Sequence, residues 1–199
     1  PRALGMMEAS VRARGIRQAT ERWLERAVIG LNLCPFAKAV HVKGQIHYAI
    51  TWAQDRAGVL DDLAYAIRDL QAHTPQQRDT TLLIAPDAFP EFWDFHGLVQ
   101  GAEKMLRSLR LEGVLQIASF HPQYEFADAP AGDMAHHTNR APYPILHLLR
   151  EDSMDRAVAA YPDTASIYAR NIACLRALGP QGWQDLQVAA ADQRTEGTP

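Results

Sequence analysis

The sequence predicts an α+β protein: a four-stranded mixed or antiparallel sheet with interleaved helices. Three observations carry that expectation. Apolar residues recur at helical spacing in four long stretches. Four shorter runs have the length and branched, apolar content of strands. Helices and strands alternate along most of the 199 residues instead of falling into separate blocks. The layout suggested is a compact sandwich, in a rearranged ferredoxin-like order, over residues 16–188. Residues 1–15 and 189–199 are expected as flexible tails.

Each element has its own signal. Residues 18–30 place Trp23, Leu24, Ala27 and Val28 on one helical stripe. A strand comes next, in which Ile46, Tyr48, Ile50 and Trp52 alternate with Gln45, His47 and Thr51. Residues 57–72 return to helical spacing with Leu60, Leu63, Ala64, Ile67 and Leu70. Residues 81–85 and 114–120 are more continuously apolar, as interior strands are. Between them, 90–110 reads as a helix with Pro90 suited to its first turn. Residues 145–149 read as a fourth strand, because Pro142 and Pro144 favour an extended entry. A short helix over 153–160 and a longer one over 164–178 close the chain. The latter is expected to be capped by Asp163 or Thr164 and stopped at Gly179-Pro180. The stretch 121–143 has no periodicity, yet it carries Tyr124, Phe126, Asn139 and Tyr143, so it is read as an ordered loop.

Composition narrows the function classes. Hydrophobic residues make up 47% and charged residues 22%, a globular balance that argues against disorder. The net charge of −3 comes without long basic runs, so neither a nucleic-acid nor an anionic-membrane surface is expected. No apolar stretch approaches a bilayer span. The first fifteen residues lack the apolar core of a secretory signal. Two cysteines, Cys34 and Cys174, are too few for a disulfide framework, which points to a reducing, cytoplasmic setting.

The residues that could carry chemistry concentrate between Ser119 and Glu151. His121 stands where an apolar strand ends, the position at which open α/β sheets collect ligand-binding groups, and Pro122 restricts its backbone. His147, Arg150 and Glu151 come after two stiffening prolines. A histidine titrates near neutrality and suits acid/base work. An arginine such as Arg140 or Arg150 suits bidentate binding of carboxylate or phosphate. The plainer alternatives are histidines bonded to backbone carbonyls and an Arg-Glu pair tying strand to helix. Cys34 before Pro35 could start a helix, where the dipole favours a thiolate, or could be a small buried hydrophobe. Asn32, Lys38, Tyr124 and Asn139 complete the candidate substrate-binding set. The adjacent His136 and His137 are expected on the loop surface. There is no Gly-rich phosphate loop, nucleophile elbow, zinc-helix motif or dinucleotide fingerprint.

Three segments in order, Asn32-Leu33-Cys34-Pro35-Phe36-Ala37, Ser119-Phe120-His121-Pro122-Gln123-Tyr124-Glu125-Phe126 and Asn139 through Glu151, resemble a family of bacterial and plant proteins catalogued as a domain of unknown function. The resemblance runs from the first helix to the last. It implies a stand-alone domain and no particular activity. The leading expectation is therefore a small-molecule enzyme acting on an anionic substrate. In it His121, His147, Cys34 and Glu151 are the catalytic candidates and Arg140 and Arg150 the anion clamp. It requires His121 and His147 to converge. The alternatives are a metal-binding protein using Cys34, His121 and His147, or a non-catalytic interaction domain with the long loop against a partner. Cofactor and oligomeric state are left open by the sequence.

Overall fold

The computed structural model describes residues 2–161 and 163–190. The chain opens with α1 (Arg2–Trp23), which widens without a break into a π-helical stretch over Leu24–Ile29. After a turn come α2 (Ala37–Val42), β1 (Ile46–Ile50), α3 (Arg56–Gln71), β2 (Thr80–Ile84), α4 (Phe92–Ser108) and β3 (Leu115–Phe120). A long connection holding one 3-10 turn, Met134–Thr138, leads to β4 (Ile145–Arg150), α5 (Glu151–Ala159) and α6 (Ile167–Asp185).

The four strands form one mixed sheet in the order β1-β2-β4-β3. β1 pairs with β2 in parallel, whereas β4 is antiparallel to both of its neighbours, β2 and β3. Thus β1, β2 and β3 point the same way, and β4 returns between the last two. The unit β2-α4-β3 with a strand inserted is the split β-α-β found in ferredoxin-like sandwiches. The rearrangement lies in β1, which joins β2 in parallel. Of the two expected sheet types, mixed and antiparallel, the protein has the mixed one.

Strand alternation sends side chains to two cores. Thr81, Leu83, Leu146, Leu148 and Leu115 face α3 and α4, where Leu63, Ile67, Leu70, Phe95 and Leu98 are buried. Leu82, Ile84 and Ile145 face the α1 side, against Ile16, Trp23, Leu24 and Ala27. Each fully buried Leu, Ile or Phe contributes about 2 kcal/mol by leaving water, so the two faces together hold the sheet between helical layers. The amphipathic stripe of α3 explains its place: Val59, Leu63, Ile67 and Leu70 recur at three- and four-residue spacing, and all are buried. Asp55 caps its start by accepting the Gly58 N–H at 2.8 Å.

Three expectations change. Residues 2–15 belong to α1 and are not a tail; the other expected tail lies outside the described residues beyond Ala190. The six-residue α2 has no sequence signal, being too short to show a period. The stop at Gly179-Pro180 is real, since Gly179 leaves the helix at φ 66° and ψ 176°, but helix resumes directly and runs to Asp185. Among the described residues, no helix is long and apolar enough to cross a membrane.

Candidate functional site

The connection between β3 and β4 is fixed from within, chiefly by two histidines. The His121 ring is wholly buried between Phe92 and Phe95, at centroid distances of 5.7 and 5.1 Å. Its Nε2 donates to the Phe89 carbonyl at 2.8 Å and its Nδ1 accepts the Gln123 N–H at 3.0 Å. Burial, the largest effect, lowers its pKa. Both ring nitrogens are thus occupied in the neutral form, and the ring holds Phe89 at its left-handed φ of 56°. His136, expected at the surface, is 1% exposed and does the same for the loop itself. Its Nδ1 accepts the Phe126 N–H at 3.0 Å, Nε2 donates to the Pro130 carbonyl at 2.8 Å, and the ring stacks on Phe126. Asn139 donates to the Ser119 carbonyl at 3.0 Å and accepts the His121 N–H with its own carbonyl at 3.1 Å, extending the β3–β4 ladder.

That rigid loop forms one wall of a cleft of about 240 Å³ just beyond the C-terminal end of β3. Trp23, Pro122, His137, Arg140, Ala141, Trp183 and the Val188-Ala189 segment line it. Trp23 donates its indole N–H to the Arg140 carbonyl at 2.9 Å, tying the end of α1 to the loop. The Arg140 side chain is half-buried. Its Nε donates to the Tyr124 carbonyl at 3.3 Å and its Nη1 to His137 Nε2 at 3.4 Å. A guanidinium has five N–H donors, and among the described residues no carboxylate forms a salt bridge with this one. Burial lowers the Arg140 pKa, with the Glu125 carboxylate acting the other way. His137 stands edge-on to Trp183 at 4.8 Å. Burial first, and the Arg140 charge second, push its pKa down to about 4, so it is neutral at pH 7. Since Nε2 accepts from Arg140, the proton sits on Nδ1, which is buried beside the Met134 backbone.

The other candidates are scattered. His147 projects to the α1 side of the sheet beside Phe120, with Nε2 2.6 Å from the Thr80 hydroxyl. That hydroxyl in turn donates to the Leu148 carbonyl, and burial lowers His147 to about 4. His121 packs on α4, on the opposite face, so the two histidines do not converge and cannot share one acid/base site. Arg150 is not a free clamp, because Nη2 donates to the carbonyls of Leu70 and His73 at 2.7 Å and of Arg78 at 3.2 Å. It caps the C-terminal end of α3. Glu151 begins α5, where an acidic side chain complements the helix dipole, and its N–H is taken by the Val114 carbonyl. Burial pushes the Cys34 thiol up despite nearby N–H groups of Phe36 and Ala37. Asn32 forms an exposed left-handed turn at φ 53°, and Lys38 is exposed on α2. Tyr124 packs its ring on Phe92 and Phe126 and lends the cleft only its carbonyl.

One alternative reading loses its geometric premise. Among the described residues, no three His, Cys, Asp or Glu groups gather as a metal set, so Cys34, His121 and His147 are not joint ligands. The loop aromatics Tyr124 and Phe126 are half-buried and pack their rings on Phe92 and His136.

Of the candidate residues, only Arg140 lines the cleft. Sequence reasoning missed Trp23, His137 and Trp183 as site residues. Trp23 sits on an ordinary apolar stripe, Trp183 comes after a helix stop, and the His136-His137 pair conceals that its members point to different surroundings. A family model described as a protein of unknown function (DUF1415) matches residues 15–185. No curated protein and no solved structure matches the chain.

Proposed function

Since the chain belongs to the DUF1415 family, whose description leaves function open, we propose from the cleft that it is a small-molecule enzyme acting on a carboxylate- or phosphate-bearing substrate. Arg140 is the anion anchor, His137 the acid/base group, and the Trp23 and Trp183 rings the walls for the substrate's apolar part. One observation carries the reading: a half-buried guanidinium in a cleft, with no salt-bridged carboxylate among the described residues. A buried charge is costly unless paired, and an anionic ligand supplies the pair.

The chemistry comes from the neighbouring ring. At neutral pH His137 is unprotonated, and its Nε2 can accept a proton once a bound anion takes over the Arg140 Nη1 donor. Its basicity is held down partly by the Arg140 charge. A bound anion offsets that charge and raises the histidine toward neutrality, so the base strengthens when substrate is present. Cys34 and Cys174 are free thiols, which fits a cytoplasmic setting.

A thermal-shift panel of small carboxylates and phosphates against their neutral amides tests the anchor. Anions that bind the native state raise its melting temperature by mass action, and Arg140→Gln should remove that response. A panel in which no anion stabilises the wild type, or a variant that keeps the response, overturns the reading. Turnover of a stabilising anion by wild type, with His137→Gln retaining binding and losing turnover, tests the enzymatic part. Equal turnover by the two would remove His137 from the mechanism.

A further inference from the structure

A second concavity lies on the other side of the molecule, and its chemistry is the reverse of the first. β1 is an edge strand, and the groove runs between it and α3. It holds about 360 Å³ and is lined by His47, Ala49, Trp52, Asp62, Tyr65 and neighbouring apolar groups. Where the first cleft has an arginine and no carboxylate, the groove has a carboxylate and no Lys or Arg among its described lining residues.

Two large aromatics are left in solvent here. Tyr65 is 68% exposed and Trp52 42%. Their rings sit one on the helix and one just past the strand, on the two sides of the groove. The Trp52 ring already receives a cation, since the Arg12 guanidinium lies 5.1 Å from its centroid. Arg12 is ion-paired with Asp87, so its charge is matched and does not make the groove positive. Asp62 is anchored through one oxygen, Oδ2, which accepts the buried Thr51 hydroxyl at 2.5 Å. A carboxylate held in place in a groove that exposed aromatic rings also line combines the two groups that recognise organic ammonium ions. At the far end, burial first, and then the nearby Arg78, His73 and Arg17, lower the His47 pKa.

We propose that the groove between β1 and α3 binds a small organic cation, its ammonium group held by the Asp62 carboxylate and by the Trp52 and Tyr65 rings. The site is independent of the Arg140 cleft, and either can fail without the other.

The test is an amide NMR titration of the full chain with choline and with butylammonium. The control is the uncharged isostere of choline in which carbon replaces nitrogen. Saturable shifts confined to residues 47–53 and 62–66 with either cation, and absent with the isostere, are expected. Asp62→Asn keeps an acceptor for Thr51 while removing the charge, and should weaken binding about tenfold. Tyr65→Ala, at an exposed position that leaves the core intact, should weaken it about fivefold. The proposal is overturned if the isostere binds as well as choline, if neither cation shifts these amides, or if Asp62→Asn binds unchanged.

Discussion

Arg140 and Arg150 come from one stretch of sequence and look interchangeable there, but their partners give them opposite consequences. Arg150 satisfies the carbonyls of Leu70, His73 and Arg78 and so closes the C-terminal end of α3. Arg150→Met strands those acceptors and should cost about 3 kcal/mol in urea denaturation, because hydrogen bonds to charged groups are worth more than neutral ones. The anion response of the native protein should survive it. Arg140→Gln gives up two longer bonds and also relieves a buried charge. Its stability cost should be about 1 kcal/mol, while the anion response vanishes. Measuring stability and ligand response on both variants separates the roles; a loss of response in Arg150→Met at temperatures where it is folded would count against them. His121 belongs with Arg150. With both nitrogens used and its ring enclosed, it builds the loop that Arg140 stands on.

At the scale of elements, the kink in α6 shapes the cleft. Gly179 adopts φ 66° and ψ 176°, a conformation that side chains rarely enter. A Cβ there would meet nothing within 4 Å, so the strain is in the backbone alone. The turn redirects the segment bearing Trp183 against His137. Gly179→Ala should cost about 1–2 kcal/mol and weaken anion binding as Trp183 moves; an unchanged near-ultraviolet tryptophan signal with unchanged binding would dissociate kink from cleft. The same element shows what the sequence could reveal. Periodicity and alternation are local, so α3, α4 and all four strands were legible, including β4, which Pro142 and Pro144 marked as extended, whereas the first half of α1 was expected as a tail. The restart after Pro180 was not, because a Gly-Pro pair signals an end and carries no information about the conformation of the chain beyond it. Site geometry was harder to read. Arg150 finds its carbonyls more than seventy residues away, and the opposition of His121 and His147 depends on which face each strand end presents. Arg140 was found because a cationic fork is recognisable by type; His137 was passed over because its partners, Arg140 and Trp183, meet only in the fold.

Across the whole molecule, four histidines are lowered by burial: His47, His121, His137 and His147, the last two to about 4. A histidine whose folded pKa lies below its unfolded value of 6.5 is neutral in the native state and gains a proton when the chain unfolds at intermediate pH. The unfolded state then binds more protons, so stability rises with pH across that interval. The stabilisation is fully present above 6.5 and is lost as pH falls toward about 4. Each such histidine contributes a slope of up to about 1.4 kcal/mol per pH unit. The lowered carboxylates of Asp87 and Asp133 act in the same direction at still lower pH, Asp133 being held at about 2 chiefly by its bond from Arg176. None of these shifts opposes another, so acid sensitivity should be steep and begin well above the range where carboxylates titrate. The urea midpoint should fall continuously from pH 6.5 to about 4, with an uptake of about two protons on unfolding from His137 and His147 together. His147→Gln, which can still donate to Thr80, should reduce that uptake by about one proton and flatten the profile. A midpoint independent of pH over this interval, or proton release on unfolding, would mean that the rings are not held neutral in the folded protein.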